Sequence, residues 1–232
     1  MKPLIIYHAN CADGFGAAFA AWLKLGAGAE YRACQYGDPA HKTLDGFRSY
    51  YGILADRDVY ILDFAYTRAE TEALRASVSS LTVIDHHLTA EEELRGLEYA
   101  LFDNSKSGAV LSWEFFHPGE PVPEILRYVM DRDLWLHELP RSREVFAGLS
   151  AHPMDFEVWS TLKVDSLAEE GEVILRYQRE LIDLAAAGAR IENLAGYRVP
   201  AANAPPLGSE IGATLLKRFP EAPSAAMDFV RP

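Results

Sequence analysis

Apolar and polar positions alternate along the first half of the chain in a way that separates strands from helices. Pro3 to Tyr7 is a short apolar run, partly β-branched and aromatic, that halts at the polar group His8-Ala9-Asn10-Cys11-Ala12-Asp13-Gly14, and it predicts a buried strand. The alanine-rich stretch Gly14 to Leu25, closed by Gly26, predicts a helix. Asp58 to Asp63 and Leu81 to Asp85 predict two further buried strands, with a helix over Ala69 to Ser77 between them. Strands alternating with helices give the expected fold class: α/β, with a mainly parallel sheet flanked by helices.

Downstream the pattern turns helical. Ser107 to Phe116 predicts a helix entered through the polar loop Asp103 to Ser107, and Pro121 to Trp135 carries another that ends near Asp131-Arg132-Asp133. From Leu167 to about Ala189, Leu167, Ile174, Leu175, Leu181 and Ile182 recur among charged residues, which predicts a long linking helix. The tail offers a strand over Tyr197 to Ala201, a Pro-rich turn, a helix over Ser209 to Phe219 and an apolar end at Ala225 to Val230. The expected division is a main domain over 1–160, a linking helix over 161–190 and a small, partial α/β domain over 191–232. No internal repeat or low-complexity segment interrupts this order.

Composition narrows the function classes. A hydrophobic fraction of 49% with 24% charged residues suits a chain with a packed core. The formal net charge of -12 gives no general attraction for long nucleic acids or anionic membranes, so a phosphate ligand has to be held locally. Carboxylates gathered around divalent cations account for part of such an acidic surplus. Cys11 and Cys34 are too few for a disulfide framework, which points to a reducing compartment. The N-terminal run lacks a small-residue cleavage site, and Ala17 to Trp22 falls far short of the ~20 apolar residues of a membrane span. A soluble, cytoplasmic protein is expected.

The three predicted strands share a property that burial does not demand. His8 and Asp13 follow the first, Asp63 ends the second, and Asp85, His86 and His87 end the third. In open α/β sheets ligands bind outside the carboxyl ends of the strands, where these six side chains can converge. A mixed Asp and His set suits Mn²⁺, Co²⁺ or Zn²⁺ better than Mg²⁺ alone. A pair of such ions needs one carboxylate able to bridge them, and Asp63, alone at the end of a central strand, is the natural candidate.

The ordered set His8-Ala9-Asn10-Cys11-Ala12-Asp13-Gly14, Leu62-Asp63, Asp85-His86-His87 and Asp131-Arg132-Asp133 resembles the four motifs of the DHH phosphoesterase superfamily, which includes nano-RNases, cyclic-dinucleotide phosphodiesterases, exopolyphosphatases and related pyrophosphatases. The resemblance implies a Mn²⁺-dependent phosphohydrolase with two ions, Co²⁺ or Mg²⁺ serving as substitutes. It implies that His8 and Asp63 serve the first ion, and that Asp13, Asp63, His86 and Asp131 serve the second. His87 then faces the substrate phosphate and Asp85 orients the histidines. The implied substrates are small: short single-stranded oligonucleotides, pAp or cyclic dinucleotides, with polyphosphate or pyrophosphate as the alternative. A non-catalytic metal or nucleotide sensor is the rival of a different class.

Two departures from the family pattern stand out. Cys11 occupies a position where the family carries an aspartate; it is expected near the metal without a bond, or as a small apolar residue filling the turn. Ser209 to Phe229 resembles only the opening of the family's associated substrate-gripping domain, whose glycine-rich loop has no counterpart before Pro232.

The remaining polar residues admit paired readings. Lys106 and Ser107 either bind phosphate at a helix N-terminus or simply cap it. Arg132 either neutralises its flanking aspartates or reaches a phosphate, and Asp133 reads as a supporting or capping residue. Trp113, Phe115 and Phe116 read as core, Cys34 as structural, and His41, His117, His137 and His152 as surface or loop residues. An apolar helix near the link would suit a homodimer.

Overall fold

The computed structural model describes residues 1–35, 37, 44–52, 54–203 and 207–228. The chain divides into two compact units, Met1–Ala168 and Glu169–Pro232.

The first unit is built on five parallel strands: β1 (Leu4–His8), β2 (Glu30–Cys34), β3 (Asp58–Leu62), β4 (Ser80–Asp85) and β5 (Ala100–Phe102), in the spatial order β2-β1-β3-β4-β5. Helices α1 (Ala12–Leu25), α2 (Leu44–Tyr51), α3 (Arg68–Arg75), α4 (Leu88–Glu93), α5 (Gly108–Phe116), α6 (Glu124–Asp133), α7 (Ser142–Leu149) and α8 (Phe156–Thr161) complete it. The parallel α/β sheet flanked by helices is therefore as the sequence predicted.

Central strands read as continuous apolar runs because both faces of the sheet are covered. Leu4, Ile6, Val59, Ile61, Leu81 and Val83 pack on one face against Phe47 and Tyr51 of α2 and Leu74 of α3. Ile5, Leu62 and Ile84 pack on the other against Ala17, Ala18 and Ala21 of α1 and Phe116 of α5. Leu4, Ile5 and Ile6 are all 0% exposed, and each such side chain contributes about 1.5–3 kcal/mol of burial. Outside α1 lies a further layer in which Phe15 and Phe19 meet Leu126 and Val129 of α6, Val145 and Leu149 of α7, and Trp159 of α8.

Elements absent from the sequence reading lie mostly at the margins. The edge strand β2 reads Glu30-Tyr31-Arg32-Ala33-Cys34, too polar for an apolar-run criterion, as edge strands commonly are. The other edge strand, β5, has only three residues. Helix α9 (Val164–Ala187) begins three residues earlier than Leu167 and gives way to a hairpin, β6 (Arg190–Leu194) with β7 (Tyr197–Asn203). In the second unit β8 (Ala226–Asp228) pairs parallel with β7, and α10 (Gly208–Arg218) packs Ile211 and Leu215 against Ala186 and Ala202. Among the described residues, no helix is long and apolar enough to cross a membrane.

The strand order fixes where chemistry is expected. The connection from β1 leads to β2 on one side, and β3 lies on the other, so the chain splits at the carboxyl ends of β1 and β3. Crevices at such a reversal are the ligand sites of open α/β sheets.

Candidate metal centre

His8 closes β1, and the next backbone N–H, of Ala9, donates to Cys34 O at 2.9 Å. Asn10 then turns the chain in the left-handed region at φ 55°, Cys11 occupies the N-cap of α1, and Asp13 lies in the first turn with 1% exposure. This return is tight because residue 14 is glycine: a Cβ there would stand 2.3 Å from His8 O and 2.7 Å from His8 Cβ. Helix start and strand end thus touch, which brings Asp13 and Cys11 back beside His8.

Asp63 follows β3 in the left-handed region at φ 62°, its N–H donating to Ile84 O at 2.9 Å, and its side chain is 2% exposed. Aspartate is among the residue types that adopt this region most readily, its short polar side chain making the turn inexpensive. The result is a carboxylate with Oδ2 3.5 Å from His8 Nδ1 and Oδ1 3.3 Å from His86 Nε2.

At the end of β4, Asp85 Oδ1 accepts the N–H of His86 at 2.7 Å and lies 2.7 Å from His87 Nδ1. One carboxylate therefore holds the backbone of His86 and the imidazole of His87. His87 is turned outward with a side-chain exposure of 42%, whereas His86 points inward at 11% and has its backbone O held by Asn104 Nδ2 at 2.7 Å.

His86 Nε2 also stands 3.7 Å from Asp13 Oδ2 and 3.6 Å from Asp133 Oδ2. Three groups with donor atoms within 4.8 Å of one another result: His8, Cys11 and Asp63; Asp13, His86 and Asp133; and Asp63, Asp85, His86 and His87.

The titratable groups of this cluster perturb one another. Burial, and then the charges of Asp63 and Asp133, push the Asp13 carboxyl well above the usual range. Burial also opposes ionisation of Asp63, yet the His8 and His86 imidazoles beside it outweigh that and hold the group down at about 2. Its hydrogen bond to Asp63 raises His8 to about 10, and the bond to Asp85 raises His87. Asp63 Oδ1 and Asp85 Oδ2 are buried and accept no hydrogen bond among the described residues, and two such oxygens in a set of carboxylates and imidazoles fit a divalent ion.

Of the expected ligands, His8, Asp13, Asp63 and His86 come together and Asp131 does not. Asp131 Oδ1 accepts the N–H groups of Glu138 at 2.9 Å and Leu139 at 3.3 Å, and Oδ2 accepts the Ser142 hydroxyl. This corrects the assignment of Asp131 as a ligand: it fastens the loop after α6, and Asp133, expected only to support or cap, faces His86 instead. Residues two apart on a helix point to different sides, so the two aspartates cannot both enter one site.

Two of the phosphate-binding candidates, Lys106 and Arg132, are engaged with other side chains. Asp13 takes the first α5 amides, Gly108 N–H at 2.6 Å and Ala109 N–H at 3.0 Å, and Ser107 is fully buried at the N-cap without capping the helix through its side chain. The capping reading of Ser107 is thus replaced by capping from Asp13, and the buried Ser107 hydroxyl makes no hydrogen bond among the described residues. Lys106 Nζ pairs with Glu114 at 2.8 Å and lies 3.5 Å from Asp103. The Arg132 guanidinium stacks 4.0 Å from the Trp135 ring centroid, and burial holds the neighbouring Asp133 carboxyl above its usual range despite the Arg132 charge.

Gly108 escaped the sequence reading. A Cβ there would stand 2.7 Å from Asp63 Cβ and Oδ1 and 3.0 Å from Asp13 Oδ2, so α5 approaches the cluster only without a side chain. No local sequence signal marks this requirement, since the neighbours come from distant elements.

Of the four unassigned histidines, His117 is not a surface residue: it is 6% exposed, stacks on Trp113 with centroids 3.8 Å apart, and has Nε2 2.9 Å from Ala20 O. His137 follows α6 and His152 follows α7, both partly buried, and His41 lies outside the described residues. Trp113 and Phe116 are core, whereas Phe115 is 39% exposed.

No protein-family model matches the chain. It is similar to "Uncharacterized protein R106" of Acanthamoeba polyphaga mimivirus, with 29% identity over 236 residues covering 94% of this chain and 55% of the relative. The chain thus spans about half the length of the curated relative it matches. A solved structure, of an uncharacterized protein from Helicobacter pylori G27, superposes with a TM-score of 0.48 at 13% identity, covering 96% of this chain and 81% of that one.

Proposed function

We propose that this chain is a metal-dependent phosphoesterase of the DHH type that hydrolyses phosphodiester or phosphomonoester bonds in small substrates such as short oligonucleotides, pAp or cyclic dinucleotides. The observation that carries the reading is Asp63, a buried carboxylate with one oxygen toward His8 and the other toward His86. A carboxylate shared between two donor groups is what a pair of divalent ions requires, with Mn²⁺ as the first expectation. When bound, such ions supply an activated water and offset charge on the phosphoryl oxygens.

The protein's own groups complete the chemistry. His8 and Asp63 would hold one ion, and Asp63, Asp13, His86 and Asp133 would hold the other. Asp85 fixes His87 through Nδ1, which leaves Nε2 to carry a proton to the leaving oxygen. The bond to Asp85 keeps that imidazole protonated to higher pH than usual. A net charge of -12 favours small substrates over long polyanions.

The test is hydrolysis by the metal-loaded chain of a panel comprising bis-p-nitrophenyl phosphate, a dinucleotide, pAp, a cyclic dinucleotide and polyphosphate, with elemental analysis alongside. Turnover of a small phosphoester, lost in Asp63→Asn together with bound metal, is expected. Asparagine tolerates the left-handed backbone, so the fold survives that change. Turnover retained by Asp63→Asn overturns the reading, and metal bound with no turnover on any substrate favours the sensor.

A further inference from the structure

Cys11 takes no part in the chemistry above, yet it stands among the ligands. Its thiol, His8 and Asp63 offer donor atoms within 4.8 Å of one another. N-cap positions favour oxygen side chains that accept a backbone N–H, but Cys11 makes no such bond, so its sulfur is not spent on capping α1. The Asp63 carboxylate of the same group is 2% exposed, with Oδ2 3.5 Å from His8 Nδ1. Cys34 differs in each respect: it is buried in the core, with Sγ 3.4 Å from the Tyr66 hydroxyl.

We propose that His8, Cys11 and Asp63 form a thiolate-containing metal position selective for Zn²⁺, Co²⁺ or Fe²⁺, while the oxygen-rich group Asp13, His86 and Asp133 takes a harder ion such as Mn²⁺. The centre is then a mixed pair, a refinement that rests on the metal-centre reading above. Thiolate sulfur selects softer ions, whereas carboxylate oxygens suit Mn²⁺ and Mg²⁺. Binding converts the Cys11 thiol to a thiolate bonded to the ion, and its proton leaves to solvent. This replaces the expectation that Cys11 lies near the metal without a bond.

The experiment is titration of the full chain with Co²⁺, followed by absorption. A cobalt–thiolate bond gives a near-ultraviolet charge-transfer band beside the visible ligand-field bands. The band is expected in the wild type and in Cys34→Ala and absent in Cys11→Ser, with Zn²⁺ affinity falling about tenfold or more in the latter. Cys11→Asp, which supplies a carboxylate at the same place, should also lack the band and bind Mn²⁺ more tightly than the wild type. Protection of Cys11 from alkylation by Zn²⁺ in the wild type gives the same answer should a variant fail to fold. Visible cobalt bands without the charge-transfer band, or a band that persists in Cys11→Ser, overturn the thiolate position and leave the metal centre standing. No Co²⁺, Zn²⁺ or Mn²⁺ bound by the wild type overturns both.

Discussion

Asp13 in the first turn of α1 accepts the backbone N–H of Gly108 at 2.6 Å, so the side chain of one helix caps the start of another. Its second oxygen takes Ala109 N–H at 3.0 Å, and its first lies 3.7 Å from His86 Nε2. One carboxylate thus joins the packing of α1 on α5 to the proposed metal centre.

Substitution of Asp13 should therefore separate two effects. Asp13→Ala leaves the first α5 amides without an acceptor and should cost about 1–2 kcal/mol in stability. Asp13→Asn keeps one acceptor and removes a charge from beside Asp63, so metal-free stability should fall less. Both variants should lose most of the thermal stabilisation that added Mn²⁺ gives the wild type. Calorimetric melting with and without Mn²⁺ measures both quantities.

Gly108→Ala tests the closeness of α5. The new methyl would stand 2.7 Å from Asp63 Oδ1, so the carboxylate must rotate or α5 must move. A loss of about 1–3 kcal/mol is expected from this overpacking, with metal affinity reduced and the far-ultraviolet circular dichroism unchanged. Titration calorimetry with Mn²⁺ reads the affinity; an unchanged value would show that the site tolerates the shift.

The pair Asp131 and Asp133 should behave as opposites. Asp131→Ala strips acceptors from the Glu138 and Leu139 amides and the Ser142 hydroxyl, and should destabilise the fold by about 2–3 kcal/mol. Asp133→Asn should leave stability nearly unchanged while weakening metal binding about tenfold or more. Urea unfolding and metal titration of both variants would decide; the reverse pattern would return Asp131 to the centre.

At the opposite end of the sheet, Glu30 pairs with the buried Arg57 guanidinium at 2.7 Å. Burial alone would raise the Glu30 carboxyl, but hydrogen bonds from Arg57 and Arg32 outweigh it and hold the group below its ordinary 4.5. A carboxylate whose folded value is depressed adds stability above its unfolded value, and that stability disappears as pH falls through the folded value. The wild type should thus melt above Glu30→Gln at pH 7, with the gap closing below about pH 4. Melting temperatures of both proteins across that range provide the check.

The sequence by itself determined the central architecture and most of the candidate centre. Strands covered on both faces must be apolar throughout, so β1, β3 and β4 announce themselves as runs, and the polar residues that stop each run mark the sheet edge where ligands bind. That is why His8, Asp63 and the Asp85-His86-His87 triplet were legible without coordinates. Edge strands and short packing helices carry weaker patterns, and β2, β5, α7 and α8 were accordingly missed. Only the tertiary structure decided which of Asp131 and Asp133 faces the site, because that depends on the rotation of α6 about its axis and on the loop that claims Asp131. It likewise decided the role of Gly108, whose close neighbours Asp13 and Asp63 stand far away along the chain, and it placed Cys11 in a donor group with His8 and Asp63. Local pattern records what a residue must be buried against or exposed to; side-chain convergence depends on distances between elements that no local pattern encodes.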